Sequence, residues 1–421
     1  MIKVCDAIMG SGKSSAAASY MNAYPEKKFI YITPYLKQAN EITDRCKGRD
    51  FVQPIDTDGK FDYSKLKHTR SLIAQGKNII TTHAAFRSYT DEMLEQIQDY
   101  HYELIVDEAV DVFVEADGFN EGDVEALREG NYIEEDGDLY AYTGKEYRGK
   151  CMSDLFDMIK CNNLVTVKRS ERGEELCYYW ALPRKLLDAF ENVIVLTYLF
   201  ETSDMWAYFK MNDIEYVNIG VRKYENGVYS FNSEPDYIPE YVKNLNSLIT
   251  VFENRKMNAI GNRANALSSN WLKDKKHEHE RDILRKNQYN FIRNYCKAKG
   301  DRVMWSTYCK VEHKLKGRGY ADQFVVFNQK SSNNYRSCDV LSYLVNVYEQ
   351  PEKVRFYSQN GLEYNSDGHA LSVMLQWIWR SAIRDQKPIT IYIPSRRMRT
   401  LLKDWIEEVS AMSQKDLHAG D

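Results

Sequence analysis

Along the first third of the chain the apolar positions gather into short unbroken runs. Each is followed by a polar turn and a stretch with helical spacing, which predicts buried parallel strands alternating with helices. Met1 to Ile8 reads as such a strand, and Ser14 to Met21 as the helix after it. Tyr31 to Thr33 forms a second strand, ending in Thr33-Pro34 and running into a helix over Tyr35 to Gln38. Asn78 to Phe86 is a third strand-to-loop element and Leu104-Ile105-Val106 a fourth strand. Val193 to Phe200 continues the series, and a helix-like Ser203 to Lys210 with a strand-like Ile214 to Val217 completes the first sheet. Between these, Asp138 to Thr143 and Leu164 to Trp180 are alternating and turn-rich, so residues 111–190 read as an inserted, hairpin-like element.

Lys223 to Lys299 lacks strand alternation and carries long helical patterns, predicting a helical connector. Strand chemistry restarts at Asp301 to Tyr308. A further strand is expected at Gln323 to Asn328, a polar loop at Ser331 to Arg336 and a helix at Val340 to Tyr348. A helix carrying Gln376 to Arg384 and a strand over Ile389 to Pro394 follow. The expected fold class is α/β, with two tandem domains built on parallel sheets: domain one at 1–222, the connector at 223–299 and domain two at 300–421.

Length and composition sharpen this picture in two places. A chain of 421 residues has room for two or more cores, and no apolar segment is long enough to cross a bilayer or serve as a secretory leader. The expectation is a soluble, cytoplasmic protein with no membrane partner. Eight cysteines without a Cys-x-x-Cys pair suggest neither a zinc knuckle nor a disulfide framework. The net charge of −4 taken alone argues against a nucleic-acid binder. Its distribution does not: Glu103 to Asp138 holds fourteen acidic residues and one basic residue, Arg128, so this block carries −13 and the rest of the chain +9. Basic residues are dense from Lys273 to Arg318 and from Arg380 to Lys403, consistent with a surface that tracks a phosphate backbone. Lys273 to Lys299 reads equally well as a solvated helix face of mixed charge.

The chemistry begins at Ala7-Ile8-Met9-Gly10-Ser11-Gly12-Lys13-Ser14, set between the first strand and the first helix. Gly10 and Gly12 let the backbone curl so that the N–H groups of Gly10 through Ser15 face a phosphate chain. Lys13 reaches the outer phosphates and Ser14 offers a hydroxyl to Mg²⁺. Ala7 stands where the common form of this P-loop, or Walker A, pattern has Gly. ATP and Mg²⁺ are the implied cofactors. Leu104-Ile105-Val106-Asp107-Glu108 then reads as a buried strand delivering two carboxylates to its C-terminal end, where parallel sheets place their ligand crevice. Asp107 is the candidate metal holder and Glu108 the candidate base that polarises the attacking water.

With these motifs in order, the chain resembles the superfamily 2 helicases and translocases, the DExD/H-box class, and in particular their bacteriophage-type members. Asp107-Glu108-Ala109-Val110 stands where they carry Asp-Glu-Ala-Asp or Asp-Glu-Ala-His, with apolar Val110 as the departure. The resemblance implies two RecA-like domains. It implies nucleic-acid contacts by Thr33 and Pro34, by Thr81, Thr82 and His83, and by Asn334 and Arg336 in the polar loop. Thr197 keeps one position of the family's Ser/Thr-Ala-Thr motif. Gln376, Arg380 and Arg384 are similar to the final motif, whose Gln and arginines face the nucleotide across the interdomain cleft. A helix over this motif would set Arg380 and Arg384 one turn apart on one face, either serving as the arginine finger.

The activity implied is a nucleic-acid-stimulated ATPase working as a DNA helicase or translocase in phage replication or recombination, on single-stranded or forked DNA. The acidic insertion either gates the nucleic-acid path, binds a partner such as a replication protein, or is solvated decoration. Other readings are an ATP-switched loader or scaffold, a DNA-packaging motor and a small-molecule kinase. A packaging motor needs a C-terminal carboxylate cluster where residues 300–421 show arginines and aromatics.

Overall fold

The computed structural model describes residues 1–421 except 35–38, 56–62, 138, 150–151, 169–175, 234–236, 329–334 and 419–421. The helix expected over Tyr35 to Gln38 and the loop residue Asn334 therefore lie outside the described residues. The chain forms two compact units. One gathers Met1–Ile8, Gly12–Tyr237 and Gln350–Tyr364; the other gathers Met9–Ser11, Ile238–Glu349 and Asn365–Asp421.

The first unit is built on an eight-stranded sheet. Its chain order begins β1 (Ile2–Asp6), β2 (Lys28–Thr33), β3 (Phe51–Val52), β4 (Asn78–Thr82) and β5 (Tyr102–Asp107). The inserted segment follows as β6 (Phe113–Glu115), β7 (Ile133–Asp136), β8 (Leu139–Tyr142), β9 (Asn163–Lys168) and β10 (Leu176–Ala181). The main sheet then resumes with β11 (Asn192–Thr197), β12 (Val217–Lys223) and β13 (Tyr229–Asn232), giving the order β13-β12-β1-β11-β5-β2-β4-β3. All its pairings are parallel except β12 with β13. Alternate residues of a strand face opposite layers: Val4 lies in one buried cluster with Ile32, Val106 and Val195, and Cys5 in the other with Tyr31, Ile105 and Leu196. Burial on both faces explains why these strands read as unbroken apolar runs.

Helix α1 (Lys13–Ala23) lies over the sheet with Ala16, Ala17, Ala18 and Met21 buried, the small side chains letting its backbone come close. The insertion is larger than a hairpin. It is a five-stranded antiparallel sheet of order β6-β10-β9-β8-β7, with its own apolar cluster around Leu127, Phe156, Leu164 and Trp180. Part of the acidic block has a local reason to be there. Asn120 and Asp123 form a reciprocal capping box for the helix Glu121–Glu129, whose first turn favours negative charge.

The second unit holds a four-stranded parallel sheet of β14 (Ile249–Val251), β15 (Val303–Ser306), β16 (Val340–Tyr343) and β17 (Ile389–Tyr392), in the order β14-β17-β16-β15. Four sequence expectations change here. The stretch 223–299 is not wholly helical, since β13 and β14 fall inside it. Val340 to Tyr348 is not a helix: its first four residues are β16, and continuous burial from Val340 to Val347 marks a central strand and its extension. A short apolar run cannot by itself tell a buried strand from a buried helix. Gln323 to Asn328 makes only an isolated bridge, Trp305 with Phe324. Finally, residues 350–364 leave the second unit and pack in the first, where the helix Pro351–Gln359 lies beside the inserted sheet. Phe113 and Phe356 meet edge to face at 5.2 Å, and Arg355 Nη1 donates to the Lys168 carbonyl at 2.6 Å.

Candidate nucleotide-binding site

The loop between β1 and α1 takes the conformation its glycines allow. Gly10 has φ +76° and Gly12 φ +93°, both in the left-handed region, and a Cβ on Gly12 would also run into the Tyr229 ring. The Ala7 amide donates to the Thr197 carbonyl at 3.0 Å, fastening the loop to the end of β11. Lys13 folds back so that its ammonium donates to the Ala7 carbonyl and, at 3.2 Å, to that of Ile8. Burial lowers its pKa, opposed by the nearby charges of Asp6, Asp107 and Glu108.

The two carboxylates stand two strands away. The register sets Leu196 of β11 beside both Cys5 and Asp107, so the ends of β1 and β5 lie level across β11. Burial pushes Asp107 up to about 7; Glu108 adds to the rise, while the Tyr31 phenol and Lys13 oppose it. Glu108 sits at φ +65°, an uncommon conformation for a residue with a side chain, held by its amide's 2.9 Å bond to the Leu196 carbonyl. Val110, polar in the resembling proteins, is buried in the main core here.

Two residues escaped the sequence reading. Tyr31 is fully buried, with its phenol beside both Asp107 and Ser14, the two candidate metal holders. Nothing in an apolar run of strand residues announces this. Asp6 accepts the amides of Leu199 at 2.8 Å and Phe200 at 2.9 Å, clasping the turn after β11. An acidic residue ending an apolar strand just before the loop was the available signal.

The other candidates are placed as follows. Ser11 is buried, and Ser15 Oγ accepts from Arg45 Nη1 at 2.6 Å. Thr33 and Thr81 are buried, so neither side chain is presented at a loop tip. Pro34 is half-buried. Thr82 caps the short helix His83–Phe86 by accepting from the Ala85 amide, and His83 Nε2 lies 2.9 Å from the Asp107 carbonyl oxygen. The hydroxyls expected to grip nucleic acid are thus buried or engaged in capping. In the second unit, Arg336 is exposed and 3.6 Å from Asp385.

The helix carrying Gln376 is Ser366–Ile378, and it stops before Arg380. Trp379 is its C-cap; the Ser381 hydroxyl then donates to the Ile378 carbonyl at 2.6 Å, and the Ala382 amide donates to the Cys338 carbonyl beside β16. Arg384 falls in a separate 3₁₀ turn, Ala382–Asp385. The two arginines therefore do not share a helix face. Arg380 is buried with Nη1 on the Val326 carbonyl, Arg384 is exposed, and Gln376 is half-buried. Trp377 and Trp379 are both buried.

Fold and site together define an α/β protein with a parallel sheet in each unit, the first sheet carrying a phosphate-type loop opposite an Asp-Glu pair. The chain is 33% identical over 416 residues to the SPbeta prophage-derived uncharacterized protein YonV of Bacillus subtilis (strain 168), a match spanning 96% of this chain and 98% of that protein. It belongs to the YonV family. Residues 243–406 match the family described as the YonV C-terminal Rossmann-like domain. Among solved structures it is similar to S. tokodaii Xpd4, with TM-score 0.47, and to one titled XPD_Helicase, with TM-score 0.40. Each is 11% identical over 96% of this chain and 94% of the other. Among the described residues no helix is long and apolar enough to cross a membrane.

Proposed function

We propose that this protein is a nucleic-acid-dependent ATPase acting as a helicase or translocase on DNA, in the replication or recombination of a phage or prophage. The observation that carries the reading is the pairing, on one parallel sheet, of the Gly10–Lys13 loop with Asp107 and Glu108 at the level ends of β1 and β5. The donor set suits a magnesium nucleotide: Ser14 and Asp107, already beside one phenol, would hold Mg²⁺, which neutralises phosphate charge when bound. Lys13 would leave its own loop's carbonyls for the outer phosphates, and Glu108 would polarise the attacking water. Of the second unit's cations we choose exposed Arg384 over buried Arg380 as the one that serves turnover, with Gln376 eight residues before it on the preceding helix. The prophage origin in the name of the relative YonV supports the phage setting.

The test is steady-state ATP hydrolysis without polymer and then with single-stranded DNA, duplex, forked DNA and RNA, at two salt concentrations. Strong stimulation by one polymer, falling with salt, is the expected result. Lys13→Ala and Glu108→Gln should each reduce turnover at least a hundredfold by order of magnitude, with Glu108→Gln still retaining ATP. Equal rates with every polymer would overturn translocation and favour an ATP-switched partner-binding role for the acidic insertion.

A further inference from the structure

The hairpin of β12 and β13 does work that the sheet does not require of it. Val217 to Ile219 pair with Lys3 to Cys5, and β12 then runs four residues further, to Lys223, past the end of β1. There Lys223 pairs with Tyr229. The hairpin thus overhangs the carboxyl edge of the sheet alongside the phosphate loop, the side on which parallel α/β sheets bind ligands. Tyr229 covers Gly12, and β13 packs against α1. Tyr237 stands edge to face with Tyr229, ring centroids 5.9 Å apart, and the ammonium of Lys223 lies 5.7 Å from one ring centre and 5.6 Å from the other. Both rings are half-buried and Lys223 is exposed, so the cluster keeps a surface toward solvent.

Strand order gives this cluster a direction. From β1, the Asp-Glu pair lies to one side, across β11 on β5, and the hairpin lies to the other. A triphosphate on the loop must send its outer phosphate toward Asp107 and Glu108, so its inner end, with sugar and base, leaves toward the hairpin.

We infer that the β12–β13 hairpin forms the nucleobase platform of this site, with Tyr229 and Tyr237 offering ring surface and Lys223 a cation to the base of a nucleoside triphosphate. The inference rests on the nucleotide reading of the loop and adds to it the element that reads the base. Every base has a π-face, and purines, with more of it, are favoured.

The experiment is calorimetric titration of the full chain with Mg²⁺ plus ATP and, separately, Mg²⁺ plus inorganic tripolyphosphate, which has the phosphates and no base. Wild type should bind ATP roughly tenfold more tightly than tripolyphosphate, the factor of about one base–aromatic stack. Tyr237→Ala should lose that factor for ATP and leave tripolyphosphate unchanged. Equal affinity of wild type for the two ligands, or unchanged ATP affinity in Tyr237→Ala, overturns the platform and leaves the phosphate loop standing. If wild type binds neither ligand, both readings fall. Should Tyr237→Ala lose both ligands, its loop is damaged. Tyr237→Leu, which keeps apolar volume and removes the ring, then decides by the same two affinities.

Discussion

Asp107 connects the site to pH through a single proton. Burial raises its carboxyl from the ordinary 3.8 to about 7, so between those values the folded chain holds a proton that the unfolded chain has lost. The stability this group contributes is full below pH 3.8 and declines as pH rises through about 7. Asp107→Asn removes the titration. In buffer free of nucleotide and magnesium, its thermal midpoint should draw ahead of wild type as pH climbs from 4 to 7, then keep a constant lead. Tyr31→Phe removes a phenol that favours the charged carboxylate, so its stability decline should be displaced to higher pH than wild type. The two arginines of the C-terminal motif separate by the same logic of burial. Arg380→Ala strips a buried guanidinium from the Val326 carbonyl and should cost about 2 kcal/mol in denaturant unfolding. Exposed Arg384→Ala should leave stability within about 0.5 kcal/mol and slow ATP turnover.

At the scale of elements, the helix Pro351–Gln359 is tied to the first unit by a buried charge pair. Its Lys353 ammonium meets the Asp204 carboxylate, and the Tyr357 hydroxyl donates to the same group at 3.0 Å, all three side chains being largely out of water. Removing one member of such a pair strands the other charge, so Asp204→Ala should cost about 3 kcal/mol. Pairing it with Lys353→Met should return much of that loss in a double-mutant cycle. No sequence pattern pointed to this arrangement, because Asp204 and Lys353 are far apart in the chain and each looks like an ordinary surface charge. What the sequence did disclose is local. The Met1–Met21 strand, loop and helix and the Leu104–Glu108 strand were legible because glycine conformation and apolar run length act within a few residues. Val340 to Tyr348 misled for the same reason, since burial on every side erases the period that separates strand from helix. Gln376 to Arg384 misled because the bond from the Ala382 amide to the Cys338 carbonyl, which holds the chain away from the helix path, is tertiary.

At the scale of the whole molecule, the 33% identity to YonV runs over 96% of this chain and so spans both compact units. The charge division has a structural counterpart. Much of the −13 block is the inserted antiparallel sheet and its capped helix, while the cation-rich Lys273 to Arg318 segment belongs to the second unit. The first unit is discontinuous, and this bears on how the chain is made. A ribosome adding about 5–20 residues per second delivers Tyr364 on the order of ten seconds after Tyr237. Through that interval Asp204 and Phe113 wait without Lys353 and Phe356. The second unit begins to emerge before the first can close. Synthesis therefore leaves the nascent first unit open along one apolar flank, and a pause in translation after Tyr237 would lengthen the time that flank is offered to chaperones.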